Sequence, residues 1–445
     1  MTLAYAPAVH ARSQQWYRPI ASPKIGWLPS ALIFAIVFIS FRPFASQVAA
    51  TPGQASGGDI VNQIGFGLMG LICIFLLLKH VPANARSALI TPSWFLVGIV
   101  LLISVLSADN PSGAMRAMAF SVIVVLAAAT ALAVPRNMAE MVSALSWSSI
   151  AALLMSYIAV IFVPEQGVHS GGGFEAQHAG LWRGVYAHKN VASYVMGGFA
   201  IIGLFVARNG KLKLGLAIFV FSILFVLQAG SKTVLGVLPA ALATAALARW
   251  VTWGFLRAII VFIPVVALMA ATLGAVIFLP ILEELRTYIP GLSYTGRTDL
   301  WIFGLEFLQK SPWFGYGFES FWNTPRVVNM EQPIELSWDV RGIVHGHNSW
   351  LDATISFGMP GGIFICFALT ILAVRDYLRI PQTGNAARLA SLFITLWIFT
   401  ALGANLESFF FRRSDPVWFC MLIAVIGLRL TAHMSTHQTS AAIHR

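Results

Sequence analysis

Two histidines separated by one glycine lie in the part of this sequence where groups suited to chemistry are densest. His345-Gly-His347 is followed directly by Asn348, and Arg297 precedes them in the segment Gly-Arg-Thr-Asp-Leu-Trp. A neutral imidazole near pH 7 can take a proton from an attacking hydroxyl, so His347 is the best candidate for a general base. Asn348 or Asp352 would orient its ring. The alternative interpretation is a structural histidine at the start of a helix.

Positively charged side chains near the ends of apolar segments form a second group. They are Arg183, Lys189, Lys232, Arg297, Arg412 and Arg413. A guanidinium group binds phosphate oxygens through a planar fork of donors, so a cluster at this depth would suit a pyrophosphate carried on a lipid chain. The alternative is ordinary snorkelling of long basic side chains to the headgroups. We favour Arg297 and Arg183 for the phosphate role. His188 with Lys189 forms a second candidate site, or else a polar cap on the helix that follows.

We expect neither a metal ion nor a cofactor at these residues. Two histidines alone make a poor metal site, and the longer polar loops contain no Asp-x-Asp pair. The three cysteines, Cys73, Cys366 and Cys420, all lie in apolar runs and build no metal or disulfide framework. Four carboxylates remain as alternative bases that the sequence does not rank. They are Asp299, Glu319, Asp339 and Glu407.

The elements that must position these groups are membrane helices. Of the 445 residues, 58% are hydrophobic and 10% are charged, whereas a soluble domain carries roughly 25% charged residues. The composition therefore predicts an all-α polytopic membrane protein with a single membrane domain over residues 1–445. A spanning helix needs about 20 mostly apolar residues, and twelve segments qualify. They lie near residues 26–41, 60–78, 90–106, 117–134, 141–163, 191–207, 214–228, 234–248, 258–281, 353–374, 389–404 and 415–431.

The distribution of charge predicts the orientation of these spans. If the amino terminus lies in the cytoplasm, 16 of the 28 Lys and Arg residues fall in cytoplasmic segments, but only two of the 17 acids do. Because Lys and Arg favour cytoplasmic loops, we expect both termini there. Two longer loops, at residues 164–190 and 282–352, would then lie in the periplasm. The net charge of +11 is explained by topology, and nucleic-acid binding has no separate support.

The order of several motifs resembles that of the O-antigen ligase and polysaccharide polymerase family. His347-Asn348, nine further residues, Gly358 and Gly361 are similar to the His-Asn-x9-Gly-x-x-Gly pattern of that family. The family resemblance extends to Gly296–Trp301, Pro312–Gly317, Arg183–Asn190 and the Ser-Lys-Thr turn at Ser231. Lys232 of that turn stands where many members have arginine. The resemblance covers most of the chain from the fifth span onward.

This resemblance implies a glycosyltransferase of the bacterial inner membrane, with about a dozen helices, one large periplasmic loop and a periplasmic active site. Members transfer a glycan from an undecaprenyl pyrophosphate carrier to a sugar hydroxyl. The implied partners are that donor, a glycan acceptor, the lipid bilayer and a chain-length regulator or flippase. By the same resemblance His347 is the base and Arg297 clamps the pyrophosphate. The substrate-binding set is then Arg183, His188, Lys189, Lys232, Asn348 and Arg412.

We predict a polymerase of exopolysaccharide or O-antigen repeats that inverts the sugar and works without a metal. The run Asn405–Arg413 looks like that branch of the family. A ligase that transfers glycan to lipid A core is the alternative. A lipid-glycan transporter or flippase is the rival from another class, since twelve spans suit it too. Ion-coupled carriers usually place ionisable residues inside the membrane, whereas all 17 acids here fall in loops or at predicted helix ends.

Overall fold

The computed structural model describes residues 26–44, 59–171, 177–288, 296–331 and 339–443. Within these ranges the chain forms helices and no strand, and a single β-bridge pairs Val168 with Trp182. The all-α prediction is therefore confirmed. The helices are α1 Trp27–Ile39, α2 Ile60–His80, α3 Ala83–Leu89, α4 Pro92–Leu106, α5 Pro111–Ala133, α6 Met138–Phe162, α7 Pro164–Gly167, α8 Lys189–Arg208, α9 Leu212–Gln228, α10 Lys232–Trp250, α11 Gly254–Met269, α12 Ala275–Ile277, α13 Leu279–Tyr288, α14 Arg297–Lys310, α15 Pro325–Val328, α16 Ser349–Leu369, α17 Ile371–Arg379, α18 Gly384–Gly403 and α19 Pro416–Ile443.

In the described part of the chain, nine helical segments are long and apolar enough to cross a membrane. Helices α3 and α4 together make a tenth, bent by 47°, and α1 and α9 are shorter apolar helices. Each of the twelve predicted segments thus coincides with helix, and the chain is a multi-pass membrane protein. The number of crossings stays a prediction, because α1 has only 13 residues and α9 has 17. Both termini and parts of the two longer loops lie outside the described residues.

Three helices, α8, α18 and α19, form the buried centre of the bundle. Between 78% and 89% of the apolar window of each is buried, against 22% for α2 at the periphery. Glycines bring these central helices close together: Gly197 faces the ring of Phe399, and Gly403 faces the ring of Tyr194. Small residues let helices approach closely. In a membrane this packing matters because the hydrophobic effect does not drive helices together. The ends of these three helices are accordingly the positions that packing holds most firmly.

Each end of the bundle contains a carboxylate that contacts basic residues. At one end Asp376 contacts Arg375 and Arg429, and we call this the basic end. At the other end Glu407 contacts Arg297 and His347, and we call this the site end. The residues that contact one another at each end were all predicted to lie on the same side of the membrane. Which compartment each end faces remains a prediction.

Cysteine labelling should test this orientation. In a cysteine-free background, Asp339→Cys should react with a membrane-impermeant maleimide from the periplasmic side. Thr383→Cys should react only after the inner membrane is permeabilised, because it lies in the connection between α17 and α18. Both positions are exposed, so access is set by the membrane and not by packing. The reverse pattern would invert the topology and move the site end into the cytoplasm.

Candidate active site

Helix α14 packs against the first turns of α16 and so places Arg297 beside the His347 segment. Trp301 is fully buried, and its Nε1 donates a hydrogen bond to the carbonyl of Gly346 at 2.9 Å. Gly304 faces Leu351 across the same contact. These contacts hold the backbone between the two histidines in one position relative to the start of α14, where Arg297 lies.

The motif Pro312–Gly317 docks onto a kink in α16. The kink is at Gly358, whose φ of 72° and ψ of 170° interrupt the helix. The amide of Tyr316 donates to the carbonyl of Ile355 at 2.8 Å, and the amide of Met359 donates to the carbonyl of Pro312 at 2.7 Å. A Cβ on Gly358 would collide with the backbone of the docked segment, so glycine is required there. These motif residues support the site and do not line its cavity.

His347 lies in the turn that precedes α16 and adopts a left-handed conformation, with a φ of 52°. Such a φ is uncommon for a residue other than glycine and costs on the order of 1–3 kcal/mol. The next residue, Asn348, is fully buried. Its Oδ1 accepts the amides of Trp350 and Leu351, and its Nδ2 donates to the carbonyl of Asn405 at 3.1 Å. Asn348 therefore caps α16 and ties it to the connection between α18 and α19.

Ser349 makes a second tie to that connection. Its Oγ donates to the carbonyl of Glu407 at 2.8 Å and accepts the amide of Phe409 at 3.0 Å. The amide of Asn348 donates to Ser408 at 2.9 Å. Together these bonds hold residues 407–409 against the start of α16, which puts the Glu407 side chain next to His347.

Glu407 is the centre of the site. Its Oε2 lies 3.0 Å from Nδ1 of His347, while its Oε1 accepts Nη2 of Arg297 at 2.7 Å and Nδ2 of Asn190 at 2.8 Å. Burial alone would raise the pKa of this carboxyl, but the charges of His347 and Arg297 and the hydrogen bond from His347 lower it on balance. The lowered pKa keeps Glu407 ionised at neutral pH. Its contacts stabilise the fold above its unfolded pKa, and that stability is lost as the pH falls through the lowered value.

An ionised Glu407 determines which ring nitrogen of His347 carries the proton. A carboxylate only accepts hydrogen bonds, so Nδ1 of His347 is the donor in this pair. In the neutral ring, Nε2 then has the lone pair that a general base needs. His345 lies beside it, with 4.1 Å between the ring centroids. Burial and the charges of His347 and Arg412 hold the pKa of His345 well below its usual value, so His345 stays neutral.

A cavity of about 200 Å³ opens beside this pair. Its lining includes His188, Asn190, His345, His347, Glu407 and Arg412. His188 also caps α8, because its Nδ1 accepts the amide of Asn190 at 3.1 Å. Arg412 brings a positive charge to the cavity, and its Nη1 donates to the carbonyl of Ser408 at 3.3 Å. The base candidate, a carboxylate and a cation thus meet at one cavity.

The other predicted positions lie around this cavity without lining it. The charge of Lys189, in the first turn of α8, interacts with those of Glu407, Arg297 and Lys232, so these four groups share one region. Arg183 is held in the neighbouring loop, where its Nε donates to the carbonyl of Gln166 at 2.8 Å. Its Nη2 donates to a second backbone carbonyl, that of Glu165, at 3.3 Å. The structure thus brings Arg297 to His347 and leaves Arg183 engaged with the backbone.

By geometry alone, three of these side chains could hold a cation. Ligand atoms of His345, His347 and Glu407 lie within 4.8 Å of one another. The chemistry of the surroundings fits a metal poorly, because Arg297 already occupies one oxygen of Glu407 and His347 donates to the other. A bound cation would have to replace both contacts and would sit near the charge of Arg412. These residues fit an ion pair better than a metal centre.

Fold and site together define a polytopic membrane protein with a candidate active site at one end of its bundle. Residues 217–366 match the family model described as O-antigen ligase. Over this range the chain is similar to the O-antigen ligase and polymerase family, whose members are glycosyltransferase-type enzymes. No curated protein matches it. The matched range contains Lys232, Arg297 and His347, but it ends before Glu407 and Arg412.

Proposed function

We propose that this enzyme transfers a glycan from a lipid-linked pyrophosphate donor to a sugar hydroxyl, with His347 as the general base. The observation that carries the proposal is the 3.0 Å contact between Nδ1 of His347 and Oε2 of Glu407 beside a cavity. A carboxylate that accepts a hydrogen bond from Nδ1 fixes the tautomer of the ring. It also stabilises the imidazolium that forms when Nε2 takes a proton. Glu407 thus serves as the positioning group for the base.

Positive charge around the cavity supports a pyrophosphate leaving group. Arg412 lines the cavity, and Arg297 and Lys189 lie beside Glu407 within range of its charge. Fixed positive groups stabilise the negative charge that develops on a departing diphosphate, and they do so more strongly where water is excluded. Two carboxylates, Glu407 and Asp415, line the cavity, so these three cations exceed them by one. We assign the surplus to the phosphates of the donor.

The reaction balances with the groups present. The acceptor hydroxyl attacks the anomeric carbon, its proton passes to Nε2 of His347, and the bond from that carbon to the pyrophosphate oxygen breaks. The carrier leaves as the diphosphate, held by Arg297 and its neighbours. Attack from the face opposite the leaving group inverts the anomeric centre. The isoprenoid tail of an undecaprenyl carrier would stay in the bilayer, because the site lies where the apolar helices α8, α16 and α19 begin.

We favour polymerisation of carrier-linked repeats on the periplasmic face over ligation to lipid A core. The connection Asn405–Arg413, whose sequence resembles the polymerase branch, supplies both Glu407 and Arg412 to the site. The rival transporter function fits less well. In the described spans the acids lie near the helix ends, as do Asp352 and Asp376 in the span Ser349–Arg379. A coupled carrier would be expected to place such groups deep in the membrane.

Deletion of the gene, followed by sizing of carrier-linked and surface glycans, tests the proposed reaction. We expect single repeats to accumulate on the lipid carrier and long chains to disappear, because the polymerising step is lost. Complementation with the wild-type gene is the control. Long chains that accumulate without attachment would identify a ligase. Accumulation of repeats on the cytoplasmic face would identify a flippase and contradict the enzymatic role of His347.

Removal of divalent metals should leave the activity intact. Purified protein treated with EDTA should transfer glycan at the rate of untreated protein, because Arg297 and Arg412 supply the positive charge that a metal would otherwise provide. The measurement is in vitro transfer from a carrier-linked donor, with EDTA and then with added magnesium or manganese. A loss of activity in EDTA that either metal restores would contradict the metal-independent mechanism.

A further inference from the structure

A second cavity lies at the basic end, far from the proposed active site. Its volume is about 350 Å³, and arginines from three separate helices line it: Arg208 at the end of α8, Arg249 near the end of α10 and Arg388 in the first turns of α18. Helix α8 runs from one cavity to the other. At 1.5 Å per residue, Asn190 and Arg208 are roughly 27 Å apart along it. The second cavity is therefore a separate feature of the molecule.

Carboxylates do not neutralise these arginines in the part of the chain that the structure describes. The acids assigned to this end are Glu140 and Asp376. Glu140 accepts the amide of Arg136 at 3.1 Å, and Asp376 contacts Arg375 and Arg429. The residues outside the described ranges include two acids, Glu175 and Glu335, and both fall in loops assigned to the site end. Three like charges consequently face one cavity.

One of the three arginines is held in place by a hydrogen-bonded amide. Nη1 of Arg388 donates to Oδ1 of Asn209 at 3.3 Å, and Nδ2 of Asn209 donates to the carbonyl of Phe205 at 2.7 Å. Asn209 therefore links the guanidinium to the last turn of α8. All three arginines are exposed, so the cavity is open to ligands from solvent or from the membrane surface. On its inner side the wall is apolar and includes Phe205 and Leu242.

Membrane topology alone accounts for part of this pattern. Basic residues are expected at cytoplasmic helix ends, and Arg208 and Arg249 also offset the negative ends of their helices. Neither effect requires three arginines to converge on one cavity, and neither explains an asparagine that orients one of them. Basic pockets between helices on the cytoplasmic side are a known form of site for phosphate headgroups. Planar guanidinium donors match phosphate oxygens in pairs.

We propose that the cavity at the basic end binds a phosphate-bearing anion, supplied as the headgroup of an anionic lipid or as soluble phosphate. Arg208, Arg249 and Arg388 hold the phosphate oxygens. The apolar wall accommodates the carbon skeleton next to a headgroup. A phosphate with one or two negative charges offsets the mutual repulsion of the three arginines and joins the ends of α8, α10 and α18.

The test compares two double variants with equal loss of charge. The cavity variant is Arg208→Gln/Arg388→Gln, and the control is Lys79→Gln/Lys213→Gln, two exposed lysines of the basic end outside the cavity. Purified proteins in nanodiscs of zwitterionic lipid are titrated with inorganic phosphate, and the unfolding temperature is followed. A second arm uses nanodiscs with phosphatidylglycerol and counts retained lipids by native mass spectrometry. The first arm detects a soluble ligand and the second a lipid headgroup.

In at least one arm we expect the cavity variant to bind about tenfold more weakly than wild type, as loss of a charge-assisted hydrogen bond predicts. The control should bind like wild type in both arms. Any phosphate that binds at the site end does so in every variant. The proposal is therefore judged on the difference in binding between the two double variants. Equal binding by both of them in both arms overturns the proposal. If the cavity variant does not accumulate, Arg388→Gln against Lys213→Gln gives the same comparison.

Discussion

Replacement of His347 by alanine should lower the turnover of glycan transfer by about 10²–10⁴, the usual contribution of a general base. Nε2 of His347 is the atom that would take the proton of the acceptor hydroxyl, because Nδ1 is bound to Glu407 at 3.0 Å. Binding of the carrier-linked donor should change little, since the imidazole acts on the acceptor. The measurements are single-turnover transfer in vitro and a separate titration of the donor.

His345→Ala is the matched control for that experiment. His345 lies beside His347 and lines the same cavity, but its low pKa and its Nδ1, which accepts the amide of His347 at 3.3 Å, leave it no role as the base. We expect a much smaller loss of turnover for His345→Ala than for His347→Ala. A His347→Ala enzyme that keeps its activity would move the base to a carboxylate and remove the central claim of the mechanism.

The second large effect should come from Glu407→Gln. Glutamine keeps the shape of the side chain but loses the charge, so it no longer stabilises an imidazolium at His347 or balances Arg297. Turnover should fall by about 10²–10⁴, the range expected when the base loses the group that orients it. Because Glu407 acts through His347, the loss should appear in kcat more than in KM. The pH profile of kcat should also change relative to wild type.

Glu319→Gln makes the same chemical change at the site end without touching His347. Glu319 pairs with Arg413 at 3.5 Å and is partly exposed, so its loss should leave kcat and its pH profile unchanged. A Glu407→Gln enzyme with wild-type kcat and pH profile would show that the pair only stabilises the fold.

The helices and the candidate residues Arg297 and His347 could be predicted from the sequence because each depends on a local pattern. Each predicted apolar run coincides with a helix, while the number of crossings stays a prediction. The segments around Arg297 and His347 carried family-like motifs within short windows, and the structure brings these two residues to the same carboxylate. The length of apolar runs and short local motifs were sufficient for this part of the prediction.

The role of Glu407 could not be ranked from sequence because it depends on contacts between distant segments. Glu407 is 60 residues from His347 and meets it only through the ties that Asn348 and Ser349 make to the connection before α19. The available signal was an acid within the polymerase-like run Asn405–Arg413. Asn348 was predicted to bind substrate, and our proposal now gives it the role of helix cap. Spacing alone does not reveal whether an amide faces a ligand or its own backbone.

If Glu407 orients His347 as we propose, its position in the chain also determines when the enzyme becomes active during its synthesis. Chains grow from the amino terminus, and their segments fold in that order. A nascent chain that has reached residue 403 already contains Arg297, His347 and the spans through α18, but it lacks the carboxylate that joins the two residues. A product released at that stage would also lack α19, one of the three helices at the buried centre of the bundle. Under the proposed mechanism, catalysis would begin only after the connection before α19 has been made.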